Sequence, residues 1–267
     1  MTKKQILLTN DDGIRSPGLW AAAEALSAIG YVTVAAPREQ SSGMGRSMPV
    51  TSDGIIKKES VQVNGQEWLV YAVGGSPAQA VQHGILEIMP QYPDLVVSGI
   101  NYGENLGFGV SVSGTVGAAM EAVSLGIPAL AISLETDKED HLSYSNDVDF
   151  SSAAYFAALF ARKLLEKDFP AQANLLKVDV PRGATPQTIW HTTQLSLNPY
   201  YRPVVKEKRD WSQPEHMDYE VAPVDKEESH TSDVYTLHKK KEVTVTPLTL
   251  DFTARVNLKN FDTFLRE

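Results

Sequence analysis

Short apolar runs bounded by turn residues alternate with helical stripes through the first two thirds of this chain, and that alternation leaves few architectures open to it. Ile6 to Thr9 reads as a buried strand. Ser16-Pro17 follows as cap and first-turn proline of a helix striped by Leu19, Ala22, Ala23, Leu26 and Ile29 and ended by Gly30. Tyr31 to Ala36 is a second strand, closed by Pro37. Val61 to Val63 and Trp68 to Val73 are shorter candidates joined by an Asn64-Gly65 hairpin turn. Ser76-Pro77 opens a helix to about Glu87, Leu95 to Ser98 is a strand, and a helix to about Leu125 is stopped by Gly126. Ala129 to Ser133 is the next strand, Phe150 to Lys167 a long amphipathic helix, and Leu175 to Val180 a strand ahead of Pro181. Strands alternating with helices of this length predict an α/β fold with a mainly parallel sheet covered on both faces.

Beyond about residue 185 the texture changes. Aromatics, prolines and charges mix, as in Asn198-Pro199-Tyr200-Tyr201-Arg202-Pro203, with one alternating strand candidate at Val243 to Thr246 and a weak terminal helix at Phe261 to Leu265. The expected organisation is therefore a core over 1–185 and an extension over 186–267 that packs on the core or on a second subunit. Tyr and Trp are enriched at interfaces, and exchange of such a segment between identical chains is a low-cost route to a dimer.

The first strand ends in Asn10-Asp11-Asp12-Gly13. Successive strand residues point to opposite faces, so adjacent carboxylates converge only where the backbone turns, and Gly13 permits that turn. Such a turn aims both carboxylates above the carboxyl end of the strand, at a solvent-facing edge where open α/β sheets bind ligands. Two convergent carboxylates repel one another, which makes a divalent cation their natural partner. The same four residues are also ordinary turn and N-cap chemistry.

Three further segments follow strands. Ala36 to Gly43 offers the Ser42 hydroxyl and exposed backbone amides. Ser98-Gly99-Ile100-Asn101-Tyr102-Gly103-Glu104-Asn105-Leu106-Gly107 carries Asn101, whose amide oxygen suits a hard cation, and Asn105, which can donate to a phosphate. It lacks the spacing of a dinucleotide fingerprint. Ser113-Gly114-Thr115 at the start of a small-residue helix forms an anion site from free N–H groups and the positive end of the helix dipole. Ser113 is equally an N-cap serine.

Composition removes several function classes. With 24 Lys and Arg against 33 Asp and Glu, the net charge is −9, so no basic excess exists to neutralise a nucleic-acid polymer or an anionic membrane. A phosphate-bearing substrate would need a local cation. The absence of cysteine excludes disulfides, thiolate metal sites and Cys nucleophiles. None of the six histidines stands near a Gly-x-Ser-x-Gly nucleophile motif, which the chain lacks. With no secretory leader pattern and no apolar run of bilayer length, the expected location is the cytoplasm.

Taken in order, Leu7-Leu8-Thr9-Asn10-Asp11-Asp12-Gly13 with Ser16-Pro17-Gly18, Ala36-Pro37 with Ser42-Gly43, Ser98-Gly99-Ile100-Asn101 with Asn105-Leu106-Gly107, and Ser113-Gly114-Thr115-Val116 before Ala118-Ala119-Met120-Glu121 resemble the stationary-phase survival protein family, SurE. Gly126-Ile127-Pro128-Ala129 extends the match, and Thr246-Pro247-Leu248 resembles the family's carboxyl-terminal region. The resemblance implies a Rossmann-like α/β/α core and a metal-dependent phosphomonoesterase acting on nucleoside monophosphates. It implies one divalent cation per subunit, Mg²⁺ or Mn²⁺, on Asp11, Asp12, Ser42 and Asn101, with Asn105 and Ser113 to Thr115 around the phosphate. It further implies a homodimer or homotetramer with exchanged carboxyl-terminal segments. The chain departs from the family pattern at Gly75-Ser76-Pro77, at Asp179-Val180-Pro181, at Thr231-Ser232-Asp233 and at the Lys239 to Lys241 run. Two other readings of the residues remain: an aspartyl-phosphate phosphatase with Asp11 or Asp12 as nucleophile, which usually has its carboxylates two residues apart, and a nucleotide-binding module without turnover.

Overall fold

The computed structural model describes residues 3–63, 65–142, 145, 147–167, 169–170, 172–205, 210–214 and 217–267. In chain order the elements are β1 (Gln5–Thr9), α1 (Pro17–Ser27), β2 (Tyr31–Pro37), β3 (Ile56–Val63), β4 (Gln66–Val73), α2 (Pro77–His83), β5 (Leu95–Tyr102), α3 (Gly114–Ser124), β6 (Ala129–Leu134), α4 (Ser151–Glu166), β7 (Leu175–Val180), β8 (Trp190–Thr192), β9 (Tyr201–Val204), β10 (Asp218–Val221), α5 (Asp233–Tyr235), β11 (Val243–Leu248) and α6 (Leu258–Arg266). Among the described residues one sheet runs β3-β4-β2-β1-β5-β6-β7-β11-β8, and β9 and β10 form a separate antiparallel ribbon. The six strands from β4 to β7 are parallel, while β3 lies antiparallel on β4 and β11 antiparallel on β7.

The apolar alternation of each strand decides what covers it. Ile6 and Leu8 of β1 face a core shared with α1 and α4, through Leu19, Leu26, Phe156 and Phe160. Leu7, between them, faces the opposite core, formed with α2 and α3 through Val81, Val116 and Ala119. Helices therefore lie on both faces of a mostly parallel sheet, the expected α/β class.

Several local expectations change. β5 does not stop at Ser98. Its pairing with β6 slips by one residue between Ser98 and Asn101, and this bulge carries the strand on to Tyr102. The helix after Ser76 keeps its capping box, with Ser76 and Gln79 bonding reciprocally, but α2 gives way to a wider π turn over Gly84–Ile88. α1 closes at Ser27, because the N–H groups of Ile29 and Gly30 both donate to the Leu26 carbonyl. Val63 pairs with Gln66, which leaves a two-residue connection between β3 and β4. Its first residue, Asn64, lies outside the described residues.

The segment after residue 185 supplies two strands to the main sheet, β11 beside β7 and β8 beside β11. α6, by contrast, buries no residue. Among the described residues no helix is long and apolar enough to cross a membrane.

The chain leaves β1 toward β2 on one side and later lays β5, β6 and β7 on the other. Strand order therefore reverses between β1 and β5, and the cleft outside their carboxyl ends is where an open α/β sheet receives a ligand.

Candidate active site

Asp11 and Asp12 follow β1 directly, and Asn101 stands near the end of neighbouring β5. The turn after β1 is clamped by Asn10, whose amide accepts from the Gly13 N–H and donates to the Gly13 carbonyl, both at 3.1 Å. Gly13 takes φ 96°, which only glycine adopts freely. The two carboxylates diverge within this turn. Asp11 meets the start of α3, where the Thr115 hydroxyl and the backbone N–H groups of Gly114 and Thr115 donate to it. A side chain at Gly114 would put its Cβ 2.7 Å from the Cβ of Asp11, so the close approach needs glycine there. Asp12 accepts the Tyr102 N–H at 3.3 Å and the Gln40 amide at 3.4 Å.

Both carboxylates are buried, at 4% and 1% exposure, and the expectation of a solvent-facing pair is corrected. β5 packs against Asp12 through the Tyr102 N–H, and the start of α3 packs against Asp11. Burial, first of all, raises the pKa of Asp11, against the pull of Thr115 and the helix amides. Burial and then the charge of Asp11 hold Asp12 well above the ordinary carboxylate range.

Ser42 reaches the same place on a loop tied down at three points. The Ser41 N–H donates to the Asp11 carbonyl at 2.7 Å, the Gly45 N–H to the Val112 carbonyl at 2.9 Å, and the Arg46 guanidinium pairs at 2.7 Å with buried Glu121 on α3. Asn101 donates its amide N–H groups to the carbonyls of Tyr102 at 3.1 Å and Gly103 at 2.6 Å. With the nitrogen so engaged, the amide offers its oxygen, an acceptor. Asn105 is held by its backbone N–H on Asp179, at 2.7 Å, and by its side-chain amide on the Ser133 hydroxyl, at 2.9 Å. Ser113 caps α3 by accepting the Val116 N–H at 3.1 Å.

A cavity of about 760 Å³ opens over these groups. Asp11, Ser42, Asn101, Asn105 and Ser113 line one side of it. Asp12, Gly114 and Thr115 are buried beside Asp11, off the cavity wall, so the first residues of α3 hold Asp11 while Ser113 faces the space. The opposite side comes from distant segments: Lys138, His141, Tyr201, Pro203, Met217 and Tyr219. Tyr219 shares a hydrogen bond of 3.0 Å with His141 and packs edge-on to Tyr201, and Lys138 lies 4.4 Å above its ring.

The sequence reading missed two things. Gln40 donates to the His141 carbonyl at 2.7 Å, to Ser42 at 3.3 Å and to Asp12, joining the carboxylate turn, the serine loop and the far wall. Its position in the Ala36 to Gly43 segment was visible, but nothing in the pattern set it apart from a solvated glutamine. The aromatic wall was also missed, because Tyr201 and Tyr219 come from β9 and β10, whose pairing brings them over the site.

The donor set fits a hard divalent cation. Among the described residues no three His, Asp or Glu side chains are arranged to hold a metal ion. A cation here would rest on two carboxylates whose buried charges it would neutralise, completed by the neutral oxygens of Ser42 and Asn101. All are hard oxygen donors.

Fold and site together define an α/β protein with a carboxylate and amide-oxygen pocket at the strand-order reversal of its sheet. The family model described as Survival protein SurE matches residues 6–202. A protein of Methanocella arvoryzae named 5'-nucleotidase SurE is 37% identical over 271 aligned residues, covering 98% of each chain. One of the same name from Thermococcus kodakarensis is 40% identical, covering 96% of each. The crystal structure of the SurE protein from Aquifex aeolicus superposes with a TM-score of 0.75 at 30% identity, over 98% of this chain and all of that one. The chain belongs to the SurE family.

Proposed function

We propose that this protein is a metal-dependent phosphomonoesterase that hydrolyses nucleoside monophosphates to nucleoside and phosphate. The observation that carries the reading is a cavity large enough for a nucleotide, lined on one side by Asp11, Ser42, Asn101, Asn105 and Ser113, with Asp12 buried beside Asp11. The relatives named 5'-nucleotidase SurE support it.

Asp11, Asp12, Ser42 and Asn101 would hold one divalent cation, Mg²⁺ or Mn²⁺, which when bound supplies Lewis-acid polarisation of a phosphoryl oxygen. The Asn105 amide and the Ser113 hydroxyl face the same space and hold the remaining phosphate oxygens, in a field made positive by the start of α3. Thr115 and the amides of Gly114 and Thr115 fix Asp11 in direction and favour its charged form against the burial that raises its pKa. One of the two aspartates orients the attacking water. The wall of Tyr201, Pro203, Met217 and Tyr219 receives the nucleoside. Segment 186–267 supplies this wall, and through the exposed apolar side chains of α6 it joins copies of the chain into a homodimer or homotetramer.

The test is release of inorganic phosphate from a panel of nucleoside monophosphates, with and without Mn²⁺. Release that depends on the added cation and stops on exhaustive chelation is the expected result. Full activity after chelation overturns the metal mechanism, and no release under any condition overturns the enzyme. In the same assay Tyr219→Ala should raise KM for a nucleotide about 10-fold through lost ring contact, with ribose 5-phosphate unaffected.

A further inference from the structure

Beneath the Asn105 loop lies a charged group that the reaction itself does not use. Lys177 on β7 is fully buried, as are Asp179 two residues on and Asp233 at the start of α5. The Lys177 ammonium pairs with Asp179 and, at 3.1 Å, with Asp233. The carboxylates also hold backbone: Asp179 accepts the Asn105 N–H at 2.7 Å on its other oxygen, and Asp233 accepts the Gly107 N–H at 3.0 Å on the oxygen it shares with Lys177 and the Ser196 N–H at 2.8 Å on the other. The Thr244 hydroxyl of β11 donates to Asp179 at 3.2 Å. Both ends of the 105–107 stretch are thus fastened to carboxylates, one from the core sheet and one from the C-terminal segment.

A buried ion group adds little stability that packed apolar side chains could not match, so its value lies in what it fixes. What it fixes here is the backbone of Asn105, whose side chain, anchored again on Ser133, lines the cavity. Lys177 has a second effect. Two uncompensated carboxylates behind an anion site would repel a phosphate through a low-dielectric wall, and the ammonium offsets them.

We propose that Lys177, Asp179 and Asp233 are positioning residues of the phosphate site: the two carboxylates hold the Asn105 loop in its anion-accepting geometry, and the lysine keeps them in place and offsets their charge. This rests on the phosphomonoesterase reading, in which Asn105 faces the phosphate. It also makes the phosphate site depend on a residue of the C-terminal segment, although no side chain of that triad lines the cavity.

The experiment measures inorganic phosphate binding to the full-length protein with saturating Mn²⁺, alongside Mn²⁺ binding itself. The reference is Lys177→Met/Asp179→Asn/Asp233→Asn, which removes all three buried charges and keeps both amide acceptors. The test variant carries Asp179→Ala in place of Asp179→Asn, so no lone charge is left to unfold it. The reference should hold phosphate within about threefold of wild type, and the test variant should bind it ~10-fold or more weakly, since misplacing a binding group by an ångström is costly. Mn²⁺ affinity should stay within about twofold in both, because none of its donors touches the triad. Equal phosphate affinity in the two variants, or parallel loss of phosphate and Mn²⁺ binding, overturns the proposal. So does failure of both to fold, since the charges would then serve the core alone. Wild-type protein that binds no phosphate would instead overturn the phosphomonoesterase reading.

Discussion

Asp11 and Asp12 are adjacent in sequence and opposite in environment. Asp11 is met by the positive end of α3, with a hydroxyl and two amides directed at it. Asp12 has one backbone N–H and a long bond from Gln40, and it feels the charge of Asp11. Removing Asp12 therefore takes away a cation donor and relieves like-charge repulsion in the metal-free protein. Asp12→Ala should lower kcat at least ~10²-fold, the usual cost of losing an electrostatic stabiliser. Its thermal midpoint without metal should equal or exceed that of wild type. Near-normal turnover would reduce Asp12 to a turn residue.

Glu135, just past β6, is one of the connections that brace the sheet's carboxyl edge. It accepts the Arg182 N–H at 3.0 Å and pairs with Lys241 at 3.1 Å and His238 at 3.4 Å. Burial acts against its charge, yet the bonds from His238, Arg182 and Lys241 hold its pKa down at about 2. The sign follows directly. A carboxylate depressed on folding stabilises the native state above its unfolded pKa, and that contribution is lost as pH falls toward the folded value. Glu135→Gln should thus lower the thermal midpoint at pH 7 relative to wild type, with the gap shrinking as pH falls below ~4.5, the ordinary range for Glu. A gap independent of pH would show that the side chain's shape, not its charge, is what matters.

The elements also show where sequence is legible. β1, β2, β6 and β7 were evident because each is a short, mostly apolar run closed by turn residues, and their largely buried residues are what such runs encode. Asp11, Ser42, Asn101 and Asn105 were legible for a related reason: each follows or ends a strand, and strand ends of a parallel sheet share an edge. The reach of β5 past Ser98 was not, because a bulge is a register event between two strands and leaves no local pattern. Nor was the buried triad. Lys177 alternates within an apolar strand where a charge reads as an interruption, and its partner Asp233 lies on a segment with no strand signal.

On the scale of the whole molecule the C-terminal segment divides in two. β11 and β8 are integrated into the sheet, whereas α6 leaves Leu258, Phe261, Phe264 and Leu265 between 47% and 71% exposed. A helix with such a face, burying none of its residues among the described ones, is a candidate for contact with another copy. Deletion from Leu258 onward should therefore keep the fold and Mn²⁺ binding while shifting a native mass from an oligomer to a monomer. A full-length chain that is monomeric at micromolar concentration would refute assembly. Truncation near Thr185 is a harsher cut. It strips β11 from β7 and leaves Lys177 without Asp233, so aggregation is the expected outcome.

The placement of β11 antiparallel on β7 bears on how the chain is made as well as how it stands. During synthesis the free edge of β7 must wait for residues 243–248. Until then the nascent chain carries an unpaired parallel edge and a lysine in the core with only one of its two counterions. The closure of the sheet on this side is thus late in synthesis, and the species before it exposes the kind of unpaired strand edge that makes folding intermediates prone to aggregate.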